Sequence, residues 1–333
     1  MKNFTYFRPS SPEQAVALLE NRWGNTELLA GGTDLHDMQK EYIAQPTRVV
    51  SLTAINAMGT IQVDDKHARI GAGAKLSAIA DHPRLKTLFA ALTTAAGEIG
   101  GPQIRNMGTL GGNLCQRNRC WYFRDEHTPC LLKGGQRCFA LDGENKYHAL
   151  FTQGHRCVIV NPSTLAPALM ALGATVNVLG PKGRRAVDIA KFFKAPASAA
   201  DREHTLEPNE LVLDVTIPVA TVASASYEVR HKQAYDWPLV QAAVAFSGGR
   251  NGAKATGVKI VLGHVAPTPH VAEAAARALE GQGISDVTAA AAGRAAAEGA
   301  KPLSQNAYKI KLVEVAVKRA LLIAAGMKRY WEA

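Results

Sequence analysis

Leu28-Leu29-Ala30-Gly31-Gly32-Thr33-Asp34-Leu35 carries, in eight residues, the signature of a strand that stops, turns tightly and starts a helix. Consecutive glycines let the backbone aim its N–H groups at one point. Such a nest beside a helix N-terminus suits a pyrophosphate. Thr33 adds a hydroxyl, and glycine permits close approach of a ligand. The pattern is neither G-x-G-x-x-G nor a P-loop, and alone it suits a ligand-free turn equally well.

Residues on either side extend the reading. Residues 4–7 fit a strand. Ser11 caps a helix that has Pro12 in its first turn, with Ala15, Val16, Leu18 and Leu19 as its apolar face. Residues 27–30 and 48–52 fit strands, with a second helix between them. This β-α-β-α-β order over residues 1–57 predicts a small, largely parallel sheet. Over residues 58–218 the pattern becomes that of an α+β lobe. Its strands are expected at 61–63, 69–70, 158–160, 175–179 and 211–217, and its helices at 85–97 and 165–172. Residues 222–333 read as a separate α+β unit. Strands at 227–230, 239–246 and 258–265 would form an antiparallel sheet with a turn at Gly248, Gly249, Arg250, Asn251 and Gly252. Helices are expected at 272–279, 287–298 and 307–329.

A second glycine turn lies in the middle lobe: Arg105-Asn106-Met107-Gly108-Thr109-Leu110-Gly111-Gly112-Asn113-Leu114. Its small polar groups can reach phosphate or ribityl oxygens. Two such turns in adjoining lobes are what a dinucleotide lying in the crevice between them needs.

The bulk numbers are those of a globular protein: 333 residues, 47% hydrophobic and 20% charged. No apolar run approaches the roughly 20 residues of a membrane span. The first residues lack the apolar core of a secretory signal. The net charge of +10 is spread along the chain, with only short clusters such as Lys182-Gly183-Arg184-Arg185. It fits solubility or an acidic partner subunit rather than nucleic acid. No H-E-x-x-H, H-x-x-E-H or G-x-S-x-G motif occurs.

All five cysteines, Cys115, Cys120, Cys130, Cys138 and Cys157, fall in one window that reads as a long irregular insertion. Loops of that length are uncommon in compact domains unless something orders them. The absence of C-x-x-C argues against a zinc knuckle. On spacing alone an iron–sulfur cluster, zinc and unligated thiols all stay open.

Ala30-Gly31-Gly32-Thr33-Asp34 together with Gly108-Thr109-Leu110-Gly111-Gly112-Asn113-Leu114 resembles the FAD-binding (medium) subunit of the xanthine dehydrogenase family of molybdenum hydroxylases. The resemblance runs over nearly the whole chain, including residues 207–211 and the terminal unit. The segment Gln116-Arg117-Asn118-Arg119-Cys120-Trp121-Tyr122-Phe123 and the later cysteines are similar to a narrower branch. That branch comprises the bacterial aldehyde oxidoreductase and 4-hydroxybenzoyl-CoA reductase flavin subunits, which carry an extra [4Fe–4S] cluster. The resemblance implies a two-lobed PCMH-type FAD-binding domain, residues 1–57 and 58–218, with the cluster insertion at about 115–157. A CO-dehydrogenase-flavoprotein-like domain follows at 222–333. It implies FAD on Leu28, Leu29, Ala30, Gly31, Gly32, Thr33, Asp34, Leu35, Thr109, Gly111, Gly112 and Asn113. It implies cluster ligation by Cys120, Cys130, Cys138 and Cys157, with Cys115 a spare buried thiol. Ile99, Lys232, Tyr235 and Asp236 lie in segments that approach the isoalloxazine in relatives. Thr164 stands where the family usually has Asp.

The activity so implied is electron transfer, with no substrate carbon handled by this chain. The partners implied are a large molybdopterin-containing subunit, a small [2Fe–2S] subunit and an external acceptor, assembled as a heterotrimer or a dimer of heterotrimers. The expected setting is bacterial cytoplasm, or periplasm through co-export with a signal-bearing partner. A self-sufficient FAD-dependent oxidase and a zinc-bearing interaction protein are the rival readings.

Overall fold

The computed structural model describes residues 1–249, 253–327, 329 and 331. Of the glycine-rich turn expected at 248–252, Gly248 and Gly249 are described, both at positive φ, and Arg250, Asn251 and Gly252 lie outside the described residues.

The first sheet consists of β1 (Thr5–Phe7), β2 (Thr26–Leu29) and β3 (Arg48–Ser51) in the order β1-β3-β2, all parallel. Parallel strands need crossovers, and the helices Pro12–Ala17 and Leu35–Lys40 lie in them. Ser11 Oγ accepts the Gln14 N–H at 3.2 Å, which satisfies a donor at the start of the first helix. Strand alternation then divides the interior. Leu28 packs on the main core, while Leu29 faces a smaller cluster that includes Cys130, Cys138 and Cys157.

The second sheet is antiparallel, with order β4-β5-β8-β6-β7: β4 Ile61–Val63, β5 His67–Gly71, β6 Thr175–Gly180, β7 Gly183–Asp188 and β8 Leu211–Pro218. Strand β7 was not expected from the sequence. Its residues are mostly exposed, so Arg184 and Arg185, which read as a basic cluster, decorate a sheet edge. Charged side chains there deter edge-to-edge pairing. Two expectations fail here. Residues 158–160 form no strand; Val158 and Ile159 are buried, and the Val158 carbonyl accepts one bond from Ala149 N–H at 3.0 Å, because a short apolar run does not distinguish a ladder from an extended core segment. The helix expected at 85–97 is broken into Pro83–Leu88 and Ala90–Glu98.

The third sheet, β12-β11-β10-β9, is antiparallel: β9 Ala223–Val229, β10 Val240–Gly248, β11 Ala255–Gly263 and β12 His270–Val271. The helices Glu273–Leu279, Asp286–Ala296 and Tyr308–Ala324 follow. Strand β10 is buried on both faces. Val240, Ala242, Val244 and Phe246 enter the C-terminal core, and Ala243 and Ala245 enter the core of the middle lobe. A period of two thus joins the units. Among the described residues no helix is long and apolar enough to cross a membrane.

Candidate functional site

A cavity of about 740 Å³ opens between the first and middle lobes. Both glycine turns line it, and they touch. A Cβ on Gly31 would lie 2.1 Å from the Met107 carbonyl oxygen, so only glycine lets the turns meet here. Gly32 has φ +75°, the left-handed region that glycine occupies without strain. Of residues 28–35, Leu28, Ala30, Gly31, Gly32, Thr33, Asp34 and Leu35 line the cavity. Leu29 does not; it points to the cysteine side.

The second turn is built differently. After Gly108 it becomes a short helix, Leu110–Cys115, capped by Thr109. Its donors are already committed. Leu110 N–H donates to Ala74 O at 3.0 Å, Gly111 N–H to Ala72 O at 2.8 Å, and Gly112 N–H to Thr109 Oγ1 at 3.1 Å. Asn113 Oδ1 accepts from Ser163 Oγ at 2.7 Å. Thr109, Gly111, Gly112 and Asn113 all line the cavity, but this turn offers close backbone approach more than a nest of free amides. Among the described residues nothing accepts the N–H of Gly32 or Thr33, so the first turn is the one suited to a pyrophosphate.

The oxygens of the Asp34 carboxylate are already engaged by protein donors. They accept from Arg119 at 2.5 Å, from Arg124 at 2.7 Å and from the Arg117 N–H at 2.9 Å. Burial pushes this carboxyl up, but the two guanidiniums outweigh burial and hold it below the usual range. Asp34 therefore ties the glycine turn to the start of the cysteine segment. Arg117, in turn, pairs with buried Glu203 at 2.7 Å.

Lys75, Arg117, Arg119 and Arg202 also line the cavity, the three arginines paired with Glu203, Asp34 and Glu27, a set the sequence did not mark. Arg117 and Arg119 sit beside Cys120 in a segment noted only for its resemblance. Arg202 comes from a loop with no local signal. Ile99, Tyr235, Asp236 and Thr164 line the cavity; Lys232 is not among its lining residues. Tyr235 has φ 58° and its ring lies over Gly101, where a Cβ would meet it at 2.1 Å. Thr164 is buried and accepts from Gln241 Nε2 through its carbonyl at 2.8 Å.

The fit to a dinucleotide is physical: a crevice of matching size, a glycine nest, cationic side chains and a glycine surface that side chains would fill.

Cys120, Cys130, Cys138 and Cys157 line one small pocket, and the rest of its wall is Tyr122, Phe123, Leu131, Leu132, Phe139 and Ile159. The segment that brings them together is mostly irregular, with one helical turn at Trp121–Arg124 and a 3-10 turn at Leu131–Lys133. It is anchored on two sides. Leu131 and Val158 pack with Leu35, Met38 and Val49 of the first lobe. Asn306 Nδ2 donates to the carbonyls of His148 and Ala149 at 3.1 Å from the C-terminal unit. Burial pushes the Cys120 thiol up to about 12 and raises Cys130. Cys157 donates to Cys138, which brings Cys138 down to about 6 and raises Cys157. His148 Nε2 lies 3.2 Å from Cys120 Sγ.

Among the described residues no three His, Cys, Asp or Glu side chains meet closely enough to hold a single metal ion. Four cysteines around one apolar pocket have the donor chemistry that a cubane cluster would need, since its corners keep their ligands further apart than one ion does. Cys115, expected to be buried, is only partly so. It lines the large cavity instead, and desolvation there pushes its thiol up to about 12.

Comparison with known proteins is consistent along the chain. Residues 2–220 match the model of the FAD binding domain in molybdopterin dehydrogenase, and residues 225–324 match the CO dehydrogenase flavoprotein C-terminal domain. The aldehyde oxidoreductase FAD-binding subunit PaoB of Escherichia coli is 32% identical over 94% of this chain and 96% of its own. The carbon monoxide dehydrogenase medium chain of Hydrogenophaga pseudoflava is 28% identical over 96% of each. A solved carbon monoxide dehydrogenase from the same organism, lacking the Mo-pyranopterin moiety of its cofactor, superposes with a TM-score of 0.75. It is 27% identical and covers 98% of each chain.

Proposed function

Since the chain belongs to the FAD-binding subunits of the molybdopterin dehydrogenases, we propose that it is the flavin-bearing electron-transfer subunit of a heteromeric molybdenum hydroxylase acting on aldehydes. FAD occupies the cavity between the lobes, and a [4Fe–4S] cluster is held by Cys120, Cys130, Cys138 and Cys157. The observation that carries the flavin site is the contact of the two glycine turns at Gly31 and Met107. The reading of the cysteines as a cluster site is supported by their convergence on one apolar pocket.

The bound cofactors supply one- and two-electron redox chemistry. The chain's own residues do the rest. Gly31, Gly32 and Thr33 present backbone donors to the pyrophosphate. Lys75, whose ammonium donates to the Met107 carbonyl at the seam of the two turns, is the lining cation with no carboxylate partner among the described residues and offsets the pyrophosphate charge. Thr109, Gly111 and Gly112 let the ligand approach the backbone closely. Tyr235, over Gly101, covers part of the cavity from the third sheet's side. Asp34 fixes the spacing between the nest and the cysteine segment through Arg119 and Arg124.

The partners under this reading are a large molybdopterin subunit, where substrate is oxidised, a small [2Fe–2S] subunit and an external electron acceptor. The aldehyde class follows from the similarity to PaoB. The compartment is the bacterial cytoplasm, or the periplasm when a partner carries the export signal.

Purified anaerobically, the chain alone should bind FAD and iron yet leave aldehydes untouched. Adding the two partner subunits should restore aldehyde-dependent bleaching of the flavin. Aldehyde turnover by the chain alone would instead identify a self-sufficient oxidase. Zinc in place of iron would identify an interaction module.

A further inference from the structure

Lys309 projects from the helix Tyr308–Ala324 into the interior and is 1% exposed. Its Nζ donates to three backbone carbonyls: His264 at 2.6 Å, His148 at 3.2 Å and Tyr147 at 3.3 Å. No carboxylate pairs with it among the described residues. Burial brings its ammonium down to about 7. A buried, unpaired cation is costly, and natural interiors keep one where an anion or a function offsets the cost.

The residue that Lys309 holds is His148. The ring of His148 is buried, its Nε2 is 3.2 Å from Cys120 Sγ, and its Nδ1 has no hydrogen-bond partner. Trp121 packs edge-on against it at a ring separation of 5.5 Å, and Tyr122 lies tilted at 6.5 Å. The two aromatics and the Lys309 grip fix the ring with one nitrogen toward the cysteine pocket. That pocket contains no cationic lining residue of its own.

Resting on the cluster reading above, we propose that His148, held in place by Lys309, sets the reduction potential of the cysteine site through a hydrogen bond to Cys120. His148 donates its Nε2–H to the Cys120 thiolate, and Lys309 holds the His148 backbone in place through its carbonyl. The arrangement explains why an unpaired ammonium is retained. Four thiolates around a cubane leave net negative charge in an apolar pocket, and that charge increases by one when the site accepts an electron. Donors placed beside such a site favour the reduced form. The pair belongs to the C-terminal unit and the insertion together, so the third sheet and its helices contribute to the redox site as well as to packing.

The test is a redox titration, followed by EPR, of the full complex carrying His148→Leu, His148→Gln or Lys309→Met. Iron and flavin are counted on each sample. At a fixed ambient potential His148→Leu should lower the reduced-to-oxidised ratio of this cluster by about threefold or more, since a hydrogen bond to a charged group is lost. Lys309→Met should move the ratio the same way. His148→Gln, which keeps an amide N–H, should recover most of the loss. Unchanged ratios at full iron content would overturn the proposal. So would loss of iron in all three variants with flavin retained, which would give the pair a purely structural role. Absence of iron from the unaltered protein would bring down the cluster reading itself, a result distinct from either.

Discussion

The glycine cradle and the cysteine pocket lie side by side but are held by different means. The cradle is made of backbone: strand β2, the start of the helix Leu35–Lys40 and the capped helix Leu110–Cys115 fix its shape through ladder and cap hydrogen bonds. The cysteine pocket sits on a mostly irregular segment. It is fixed by side chains reaching in from elsewhere: Asp34 from the first lobe, Glu203 from the middle lobe, Asn306 and Lys309 from the last. Backbone cradles advertise themselves in sequence through glycine. Side-chain scaffolds do not, because their members lie tens or hundreds of residues apart.

Substitutions can break that contrast most sharply where the two regions meet. Asp34→Ala should destabilise the chain by about 3–5 kcal/mol, because it leaves Arg119 and Arg124 buried without their shared partner. Urea unfolding would measure the loss, and both flavin and iron content should fall together. A variant that lost flavin alone would uncouple the two regions. Acid should mimic it. The depressed Asp34 carboxyl contributes stability present above its unfolded value of about 4 and lost as pH falls through its lower folded value.

Gly31→Ala should act on the cradle only. Its Cβ would meet the Met107 carbonyl, so the turns must part. A cost of roughly 1–3 kcal/mol is expected. Flavin affinity should drop at least tenfold while iron stays, read by absorbance and iron assay.

Behind the cavity wall, Arg230 lies between Glu228 and the lining residue Glu98. The Glu228 side chain is only 4% exposed, neither carboxylate oxygen has a hydrogen-bond partner, and burial lifts it to about 8 although Arg230 Nη1 lies 3.7 Å away. Its raised value means a stability contribution present below about 4 and lost as pH rises through about 8. Glu228→Gln should leave the melting temperature unchanged near or below pH 4 and raise it by roughly 3 °C or more near pH 8. The smallest effect is expected for Cys115→Ala. It should leave the iron count intact, because this thiol lines the flavin cavity rather than the cysteine pocket.

Much of the scaffold was legible because it obeys local rules. The Ser11 cap, the parallel order of the first sheet and the long C-terminal helix all follow from residues adjacent in sequence. What escaped was non-local or ambiguous in period. The edge strand Gly183–Asp188 read as a basic cluster, and Val158 to Val160 read as a strand because burial on both sides looks alike in either case. Within the site, the glycine turns and the cysteines were visible as residue types. That Asp34 would serve Arg119 and Arg124 was not, and neither was Arg202 in the cavity wall nor His148 beside Cys120.

Counting both cofactors on one anaerobically purified sample tests the central claim most directly. One flavin and four irons per chain, by absorbance and chemical iron assay, is the predicted result. Flavin without iron would contradict the assignment of the four cysteines, and a chain holding neither would contradict the account as a whole.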